Sequence, residues 1–388
     1  MKFDDWKIIA VIGAGDMGHG IAQLALMTGY EVHLCDIKYE YVQHGISRIQ
    51  TSLEKLVSKG KCDVSVLENS KNGKLRGHTD LSEAVKDADK IVEVVSEEIT
   101  VKESVLREIS ASARANAIIA SNTSTMSITM LSHFVDHPER FLGMHYFNPA
   151  VLMKLVEVVR GQQTSDQTIE LALEYVKKIG KTAIYAQKDT PGFVANRINI
   201  PSVLYTGFCM DVDGISAEDI DASLIKQGLK MGPIEVLDYT GVDILCSCMA
   251  YYHEHLSPEY VESKAIRQLM DTGKFGKKTG EGFYLWVDGK RPVIDPNAST
   301  GKFDSELFFI IQANESCKLY EEGVCNLEDC DRAMELGYNT PGPIRYIQDK
   351  DPQYLTNLLN QTADRFGCNV FRPTETIRRG KYIYQENE

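Results

Sequence analysis

The turn Gly13-Ala-Gly15-Asp-Met-Gly18 restricts this chain more than any other stretch, because of what stands on either side of it. Ile8-Ile-Ala-Val-Ile12 before it is a short apolar run of the kind that forms a buried strand. After it, Ile21, Ala22, Leu24, Ala25 and Leu26 recur with helical spacing as far as Gly29. Glu31-Val-His-Leu-Cys-Asp36 then alternates into a second strand that stops on an acid, eighteen residues beyond Gly18. Strand, glycine turn, helix, strand and acid are the parts of a dinucleotide-binding βαβ unit. In such a unit the first glycine makes the tight turn, the second lets backbone amides approach a pyrophosphate, and the third lets helix and strand pack closely. The helix N-terminus faces the phosphates and the acid bonds the ribose hydroxyls. Gly13, Gly15, Gly18 and Asp36 are therefore the expected cofactor-binding residues. Asp36 would repel a 2′-phosphate, which favours NAD over NADP, although Lys38 nearby points the other way.

Further apolar runs at 91–95, 117–120, 141–144, 155–159 and 182–185 read as strands, with helical patterns between many of them. The clearest helix spans 165–180, with Ser165 as N-cap, Ile169, Ala172, Leu173, Val176 and Ile179 on one face, and Gly180 closing it. Alternation of this kind predicts a largely parallel, doubly wound α/β sheet whose ligand lies at the carboxyl ends of the strands. Glu97, Lys102 and the loop Ser121-Asn-Thr-Ser-Thr125 follow strand ends and belong on that side. Residues 38–76 read as helical and locally basic, with Lys55, Lys59, Lys61, Lys71, Lys74 and Arg76 around an apolar face. Charge alone makes this the solvated face of a helical hairpin.

The chemistry is expected at Phe141-Leu-Gly-Met-His-Tyr-Phe-Asn-Pro149 and Leu155-Val-Glu-Val158, which set His145 and Glu157 on adjoining apolar runs with turn chemistry at Asn148-Pro149 between them. An imidazole backed by a carboxylate is held in one tautomer and can take a proton from an alcohol, while the carboxylate stabilises the imidazolium. Taken alone, the pair is equally a hydrogen-bonded core histidine and a strand-end acid.

With 388 residues, 43% of them hydrophobic, the chain can fill two or three domains. Its net charge of −13 argues against general affinity for nucleic acid or anionic membrane, since both need a basic face. The nine cysteines are scattered and lack zinc spacing, so they are expected to be reduced thiols in a cytoplasmic protein with no metal. The first apolar run is too short for a signal-peptide core and no later run approaches a membrane span, so the mature chain is expected to begin at Met1.

Asp189-Thr-Pro-Gly-Phe193 opens a long apolar stretch and marks the border with a helical region, Asn196 falling in its first turns. That region repeats itself. Ser216-Ala-Glu-Asp-Ile-Asp221 recurs as Asn326-Leu-Glu-Asp-Cys-Asp331 and Gly232-Pro233 as Gly342-Pro343, and the tail from Thr376 to Tyr384 is a shortened echo of Leu269-Met-Asp-Thr-Gly-Lys274 and Gly282-Phe-Tyr284. Asp288-Gly289 reads as a tight hairpin turn. The expected organisation is an α/β nucleotide domain over 1–187, a helical module over 188–288, and a second, degenerate copy over 289–388, the two copies burying their apolar faces against each other.

These residues resemble the L-3-hydroxyacyl-CoA dehydrogenase family over essentially the whole chain. The matching strings are Gly13 to Gly18 with Asp36, Ser121-Asn-Thr-Ser124, His145-Tyr-Phe-Asn-Pro149 through Met153-Lys-Leu-Val-Glu157, Asp189-Thr-Pro-Gly-Phe193 through Asn196-Arg197, Met231-Gly-Pro233, and Lys277-Lys-Thr-Gly-Glu-Gly-Phe-Tyr284. The resemblance implies a Rossmann-type domain followed by an all-α domain, and NAD-dependent oxidation of an (S)-3-hydroxyacyl-CoA thioester to the 3-ketoacyl-CoA. It makes His145 the general base and Glu157 its partner, with Ser124 and Asn196 on the substrate's 3-oxygen and Asn148 shaping the pocket. It places Glu97 and Lys102 nearer the nicotinamide end of the cofactor, and Ser52 and Lys59 on the CoA portion, so that the basic hairpin becomes a phosphate site. A second helical copy implies either a monomer with an internal pseudo-dimer or a homodimer, and leaves any enoyl-CoA hydratase as a separate partner. The alternative is a dehydrogenase of the same superfamily acting on a CoA-free hydroxy acid, of gulonate or carnitine type, against which the basic hairpin argues. A dinucleotide-binding protein without chemistry is a third reading, and the joint presence of His145, Glu157, Ser124 and Asn196 points away from it.

Overall fold

The computed structural model describes residues 3–383, and the chain divides into two compact units between Phe193 and Val194. Tyr384, the last residue of the tail's echo, lies outside the described residues.

In the first unit, eight strands form one sheet in the order β3-β2-β1-β4-β5-β6-β7-β8. They are β1 (Ile8–Ile12), β2 (Glu31–Cys35), β3 (Leu75–His78), β4 (Lys90–Glu93), β5 (Ile118–Ser121), β6 (Phe141–Tyr146), β7 (Leu155–Val159) and β8 (Thr182–Ala186). The first six run parallel, β7 pairs antiparallel with β6, and β8 follows β7 in parallel. Every residue of β4, β5, β6 and β7 is buried, which is why these strands are rich in apolar residues on both faces and show no strict alternation in the sequence. Helices α1 (Gly18–Met27), α2 (Tyr39–Ser58), α3 (Val64–Lys71), α4 (Leu81–Val85), α5 (Ile99–Ser112), α6 (Ile128–Leu131) and α7 (Asp166–Lys178) connect them. Ser165 caps α7 by accepting a hydrogen bond from the Thr168 amide, and Gly180, at φ +72°, follows its end. Strand order reverses between β1 and β4, so the carboxyl ends of these strands diverge and leave a crevice.

Two expectations need correction here. The stretch 38–76 is not helical throughout: α3 stops at Lys71 and Leu75–His78 is the edge strand β3, paired with β2. Its string Leu-Arg-Gly-His has no apolar alternation, because only Leu75 is buried and Gly77 faces α2 so closely that a Cβ would lie 2.5 Å from Val42 Cγ1. Backbone pairing alone makes it a strand. Strand β6 also continues through Tyr146, two residues beyond the expected end at 144.

The second unit is helical: α8 (Ala195–Asp213), α9 (Ala217–Lys226), α10 (Pro233–Thr240), α11 (Val242–His255), α12 (Lys264–Asp271), α13 (Ser305–Glu321), α14 (Leu327–Gly337), α15 (Pro343–Ile347), α16 (Pro352–Phe366) and α17 (Glu375–Arg378). Asp288-Gly289 makes no hairpin. Asp288 takes a left-handed conformation inside a 3-10 turn, Val287–Gly289, closed by Gly289 N to Trp286 O at 3.0 Å. Left-handed Asp-Gly fits either device, and the flanking residues here offer no strands to join.

The repeat runs deeper than its two strings. Helices α8 to α11 begin at Ala195, Ala217, Pro233 and Val242, and α13 to α16 begin at Ser305, Leu327, Pro343 and Pro352, each 110 residues on. The recurrent letters have one physical cause. Buried Asp221 accepts hydrogen bonds from the Ile234 and Glu235 amides at 2.9 and 2.8 Å, capping α10 from outside. Asp331 does the same for α15 through the Ile344 and Arg345 amides at 2.7 and 3.1 Å. Proline begins each helix because the first amide is not needed. Glycine precedes it because a Cβ at Gly232 or Gly342 would lie 2.1 or 2.7 Å from the capping carboxylate. The copies pack α8 against α13 in one core that includes Ile200, Val203 and Leu204 from the first and Phe308, Ile310 and Ile311 from the second. Gln312 Nε2 donates to Ser202 Oγ at 3.0 Å, and these residues hold equivalent positions in the two copies. Helix α8 also meets α14 as α13 meets α9, the reciprocal pairing that an isologous two-fold relation between the copies requires.

Candidate active site

At the head of the sheet, each glycine of the first turn has its own reason. A Cβ at Gly13, whose φ is +112°, would lie 2.5 Å from Val94 O, and one at Gly18 would lie 1.8 Å from Gly13 O. Only glycine lets the turn fold onto β4 and α1 onto the turn. A Cβ at Gly15 would meet nothing within 4 Å, so the turn's backbone faces open space there. That space is a cleft of about 1080 Å³ lined by Gly13, Gly15, Asp36, Thr79, Val95 and Ser96 among others. Asp36 is fixed at its rim, Oδ2 accepting from the Ala14 amide and Oδ1 from the Ile37 amide, both at 2.8 Å. A turn offering bare backbone and an anchored carboxylate beyond it fits a dinucleotide's pyrophosphate and ribose diol.

His145 and Glu157 are directly opposed residues of the antiparallel β6–β7 pair. Their side chains share a face, and His145 Nδ1 lies 2.6 Å from Glu157 Oε2. Glu157 is fully buried and His145 is 7% exposed. The imidazole packs against the rings of Phe147 and Phe193, at centroid distances of 4.6 and 5.9 Å. With Nδ1–H donated to the carboxylate, Nε2 is the basic atom. Asn122 Oδ1 accepts from the Tyr146 amide at 2.9 Å and so ties the loop after β5 to the backbone beside His145.

Glu97, Lys102 and Ser124 form a second group. Glu97 accepts from the Ser124 amide at 3.0 Å and from Thr123 Oγ1 at 2.8 Å, while Lys102 Nζ lies 3.7 Å from its carboxylate. Lys102 is buried, and its nearest partner is Glu93, at 2.8 Å. Glu93 was not singled out from the sequence. Fully buried at the end of β4, it also accepts from the Val95 amide at 2.8 Å and from Ser121 Oγ at 2.5 Å, joining the ends of β4 and β5. An acid closing an apolar strand, with a lysine nine residues on in the next helix, was the available signal.

Ser52 and Lys59 belong to neither group; they lie in α2 and at its C-terminal cap, the first half-buried and the second exposed. Asn148 is exposed just past β6. Asn196 lies in the first turn of α8, where its Oδ1 accepts from Tyr338 OH at 2.7 Å. Among the described residues no group of three or more His, Cys, Asp or Glu side chains is placed to hold a metal, and no helix is long and apolar enough to cross a membrane.

Residues 8–190 match the family model of the 3-hydroxyacyl-CoA dehydrogenase NAD binding domain, and residues 192–286 that of the 3-hydroxyacyl-CoA dehydrogenase C-terminal domain. The chain belongs to the 3-hydroxyacyl-CoA dehydrogenase family. It is thus an NAD-dependent oxidoreductase with a Rossmann-type domain followed by helices. A probable 3-hydroxybutyryl-CoA dehydrogenase of Deinococcus radiodurans is 37% identical over 71% of this chain and 99% of its own length. The crystal structure of 3-hydroxybutyryl-CoA dehydrogenase from Escherichia coli superposes with a TM-score of 0.87 at 26% identity, over 97% of this chain and 98% of that one. The fatty acid oxidation complex subunit alpha of Idiomarina loihiensis is 35% identical over 96% of this chain, which spans 54% of that subunit.

Proposed function

We propose that this dehydrogenase interconverts (S)-3-hydroxyacyl-CoA and 3-ketoacyl-CoA, with His145 as the general acid-base and Glu157 as the group that orients it. The observation that carries the reading is the cross-strand pair itself, a buried carboxylate 2.6 Å from one ring nitrogen. Nε2 of His145 takes the 3-hydroxyl proton as the C3–H bond breaks, and the Glu157 carboxylate stabilises the resulting imidazolium. Bound NAD supplies the hydride acceptor. Ser124 and Asn196 donate to the 3-oxygen, and Asn148 limits the pocket. The loop that presents Ser124 is held by Glu97, and the Glu93–Lys102 pair beneath it keeps the ends of β4 and β5 in place at the nicotinamide end. Gly13, Gly15, Gly18 and Asp36 hold the rest of the cofactor, Asp36 selecting NAD.

Ser52 and Lys59 take the CoA portion, supported by the cationic side chains of α2 and α3. The second helical copy stands in for the module a partner subunit would bring, so that one chain contains its own pseudo-dimer. A separate enoyl-CoA hydratase is the partner this reading expects, and the nine free thiols support a reducing compartment such as the cytoplasm.

Purified protein mixed with acetoacetyl-CoA and NADH tests the proposal by the loss of NADH absorbance, with NADPH and free acetoacetate as parallel arms. Turnover of NADH with the thioester alone is the expected result. Turnover of free acetoacetate at the same rate would favour a CoA-free hydroxy acid and remove Ser52 and Lys59 from the site.

A further inference from the structure

The degenerate copy reaches the first copy at the residues that matter for substrate. Asn196 and Arg197, in the first turn of α8, are both held by side chains from the second copy. Arg197 is 1% exposed and pairs with Glu315 of α13 and, at 3.1 Å, with Glu322 just past that helix. Its planar, multiply bonded guanidinium fixes the backbone at that turn. Asn196 Oδ1 accepts from the hydroxyl of Tyr338, the C-terminal cap of α14, at 2.7 Å.

Tyr338 marks a departure from the repeat. The residue 110 positions earlier is Gly228, which closes the turn after α9 in a left-handed conformation at φ +104°. In the second copy the left-handed residue has moved one place along to Asn339, at φ +54°, and position 338 has φ −115°. Asparagine tolerates the left-handed region better than other side-chain-bearing residues. The shift allows a large side chain where the first copy has none, and that side chain ends on the Asn196 amide.

We propose that Tyr338 is a positioning residue for the dehydrogenase reaction. By donating to Oδ1 it fixes the flip and rotation of the Asn196 amide, so that Nδ2, on the other side of the amide, is presented as a donor to the substrate's 3-oxygen. The proposal rests on the role given to Asn196 above. An amide held in advance costs nothing to orient as charge develops on that oxygen, so the hydroxyl acts on the chemical step rather than on cofactor binding.

Tyr338→Phe removes the hydroxyl and keeps the ring. Acetoacetyl-CoA reduction is expected to lose about five- to tenfold in kcat/KM, carried mainly by kcat, the scale of one lost hydrogen bond. NADH affinity and Tm should stay close to those of the wild type. In an Asn196→Ala background, where activity is already lowered, adding Tyr338→Phe should change kcat/KM by less than about twofold, because the hydroxyl has nothing left to position. Wild-type kcat/KM in the single variant would overturn the proposal. So would an equal fall in both backgrounds, which would mean that Tyr338 supports the fold and not the amide. Absence of wild-type activity with the thioester would instead remove the proposed function, and this role with it.

Discussion

Replacing Glu157 by glutamine separates the charge behind His145 from the shape that holds it. Glutamine is isosteric and its carbonyl oxygen can accept from Nδ1–H as Oε2 does now at 2.6 Å, so the ring should keep its place between Phe147 and Phe193. The negative charge is lost, and the other carboxylate oxygen becomes an amide donor. At that contact the charge centres of imidazolium and carboxylate lie about 4 Å apart, and with an effective dielectric of about 20 they attract by about 4 kcal/mol. Loss of half to all of this term, at about 1.4 kcal/mol per decade, lowers kcat by about 30- to 1,000-fold. The assay is steady-state reduction of acetoacetyl-CoA at saturating NADH, with NADH affinity by fluorescence titration and Tm as controls. Both controls should hold, because the pair stands apart from the glycine turn and the glutamine carbonyl keeps the hydrogen bond from Nδ1–H. A kcat within about threefold of wild type, with both controls intact, would show that the carboxylate charge does not act in the rate-limiting step, and the dyad reading would fall.

Other sites give further tests. Gly18→Ala pushes a methyl group to 1.8 Å from Gly13 O and should weaken NADH binding at least about tenfold as the turn is displaced; an unchanged Kd would refute the close-packing argument. Lys102→Met leaves the fully buried Glu93 carboxylate without its ammonium and should cost about 3–5 kcal/mol, read as a clear fall in Tm, whereas a shift under about 2 °C would mean that the pair is not a structural tie. Burial pushes the Asp221 carboxyl up to about 7, above its unfolded value of about 4. The folded state therefore binds that proton more tightly, and the associated stability is complete below about pH 4 and lost as pH rises through about 7. Relative to Asp221→Asn, which does not titrate, the wild type should gain Tm between pH 8 and pH 5.5; a constant difference would place the titration elsewhere.

Local pattern revealed what local physics decides. Strand, glycine turn, helix and Asp36 are contiguous, and each depends on its neighbours in sequence, so their letters were enough. His145 and Glu157 are twelve residues apart across one reversal, still close enough for two apolar runs to predict an encounter, although the end of β6 was placed two residues short. The edge strand β3 escaped because it exposes most of its residues and relies on backbone pairing with β2. Glu93, Ser121 and Lys102 come from three successive elements, and their network exists only once the strands lie side by side. Tyr338 and Asn196 are 142 residues apart, and nothing in the composition of a short turn discloses its distant partner. The repeated Asp and Gly-Pro strings were visible as letters; that the aspartate caps the helix which the proline begins became clear only from the hydrogen bonds.

The two-fold relation between the helical copies has a genetic consequence. In a homodimer one coding sequence specifies both halves, so any residue that helps one active site is imposed on its mate. Once the halves are fused, each can mutate alone. Position 228 is glycine where position 338 is tyrosine, and Glu306, the counterpart of Asn196, pairs instead with Lys350 of its own copy. The fold keeps the outline of a symmetric pair, but its two halves now serve unequal purposes, one carrying the asparagine and the other aiming it.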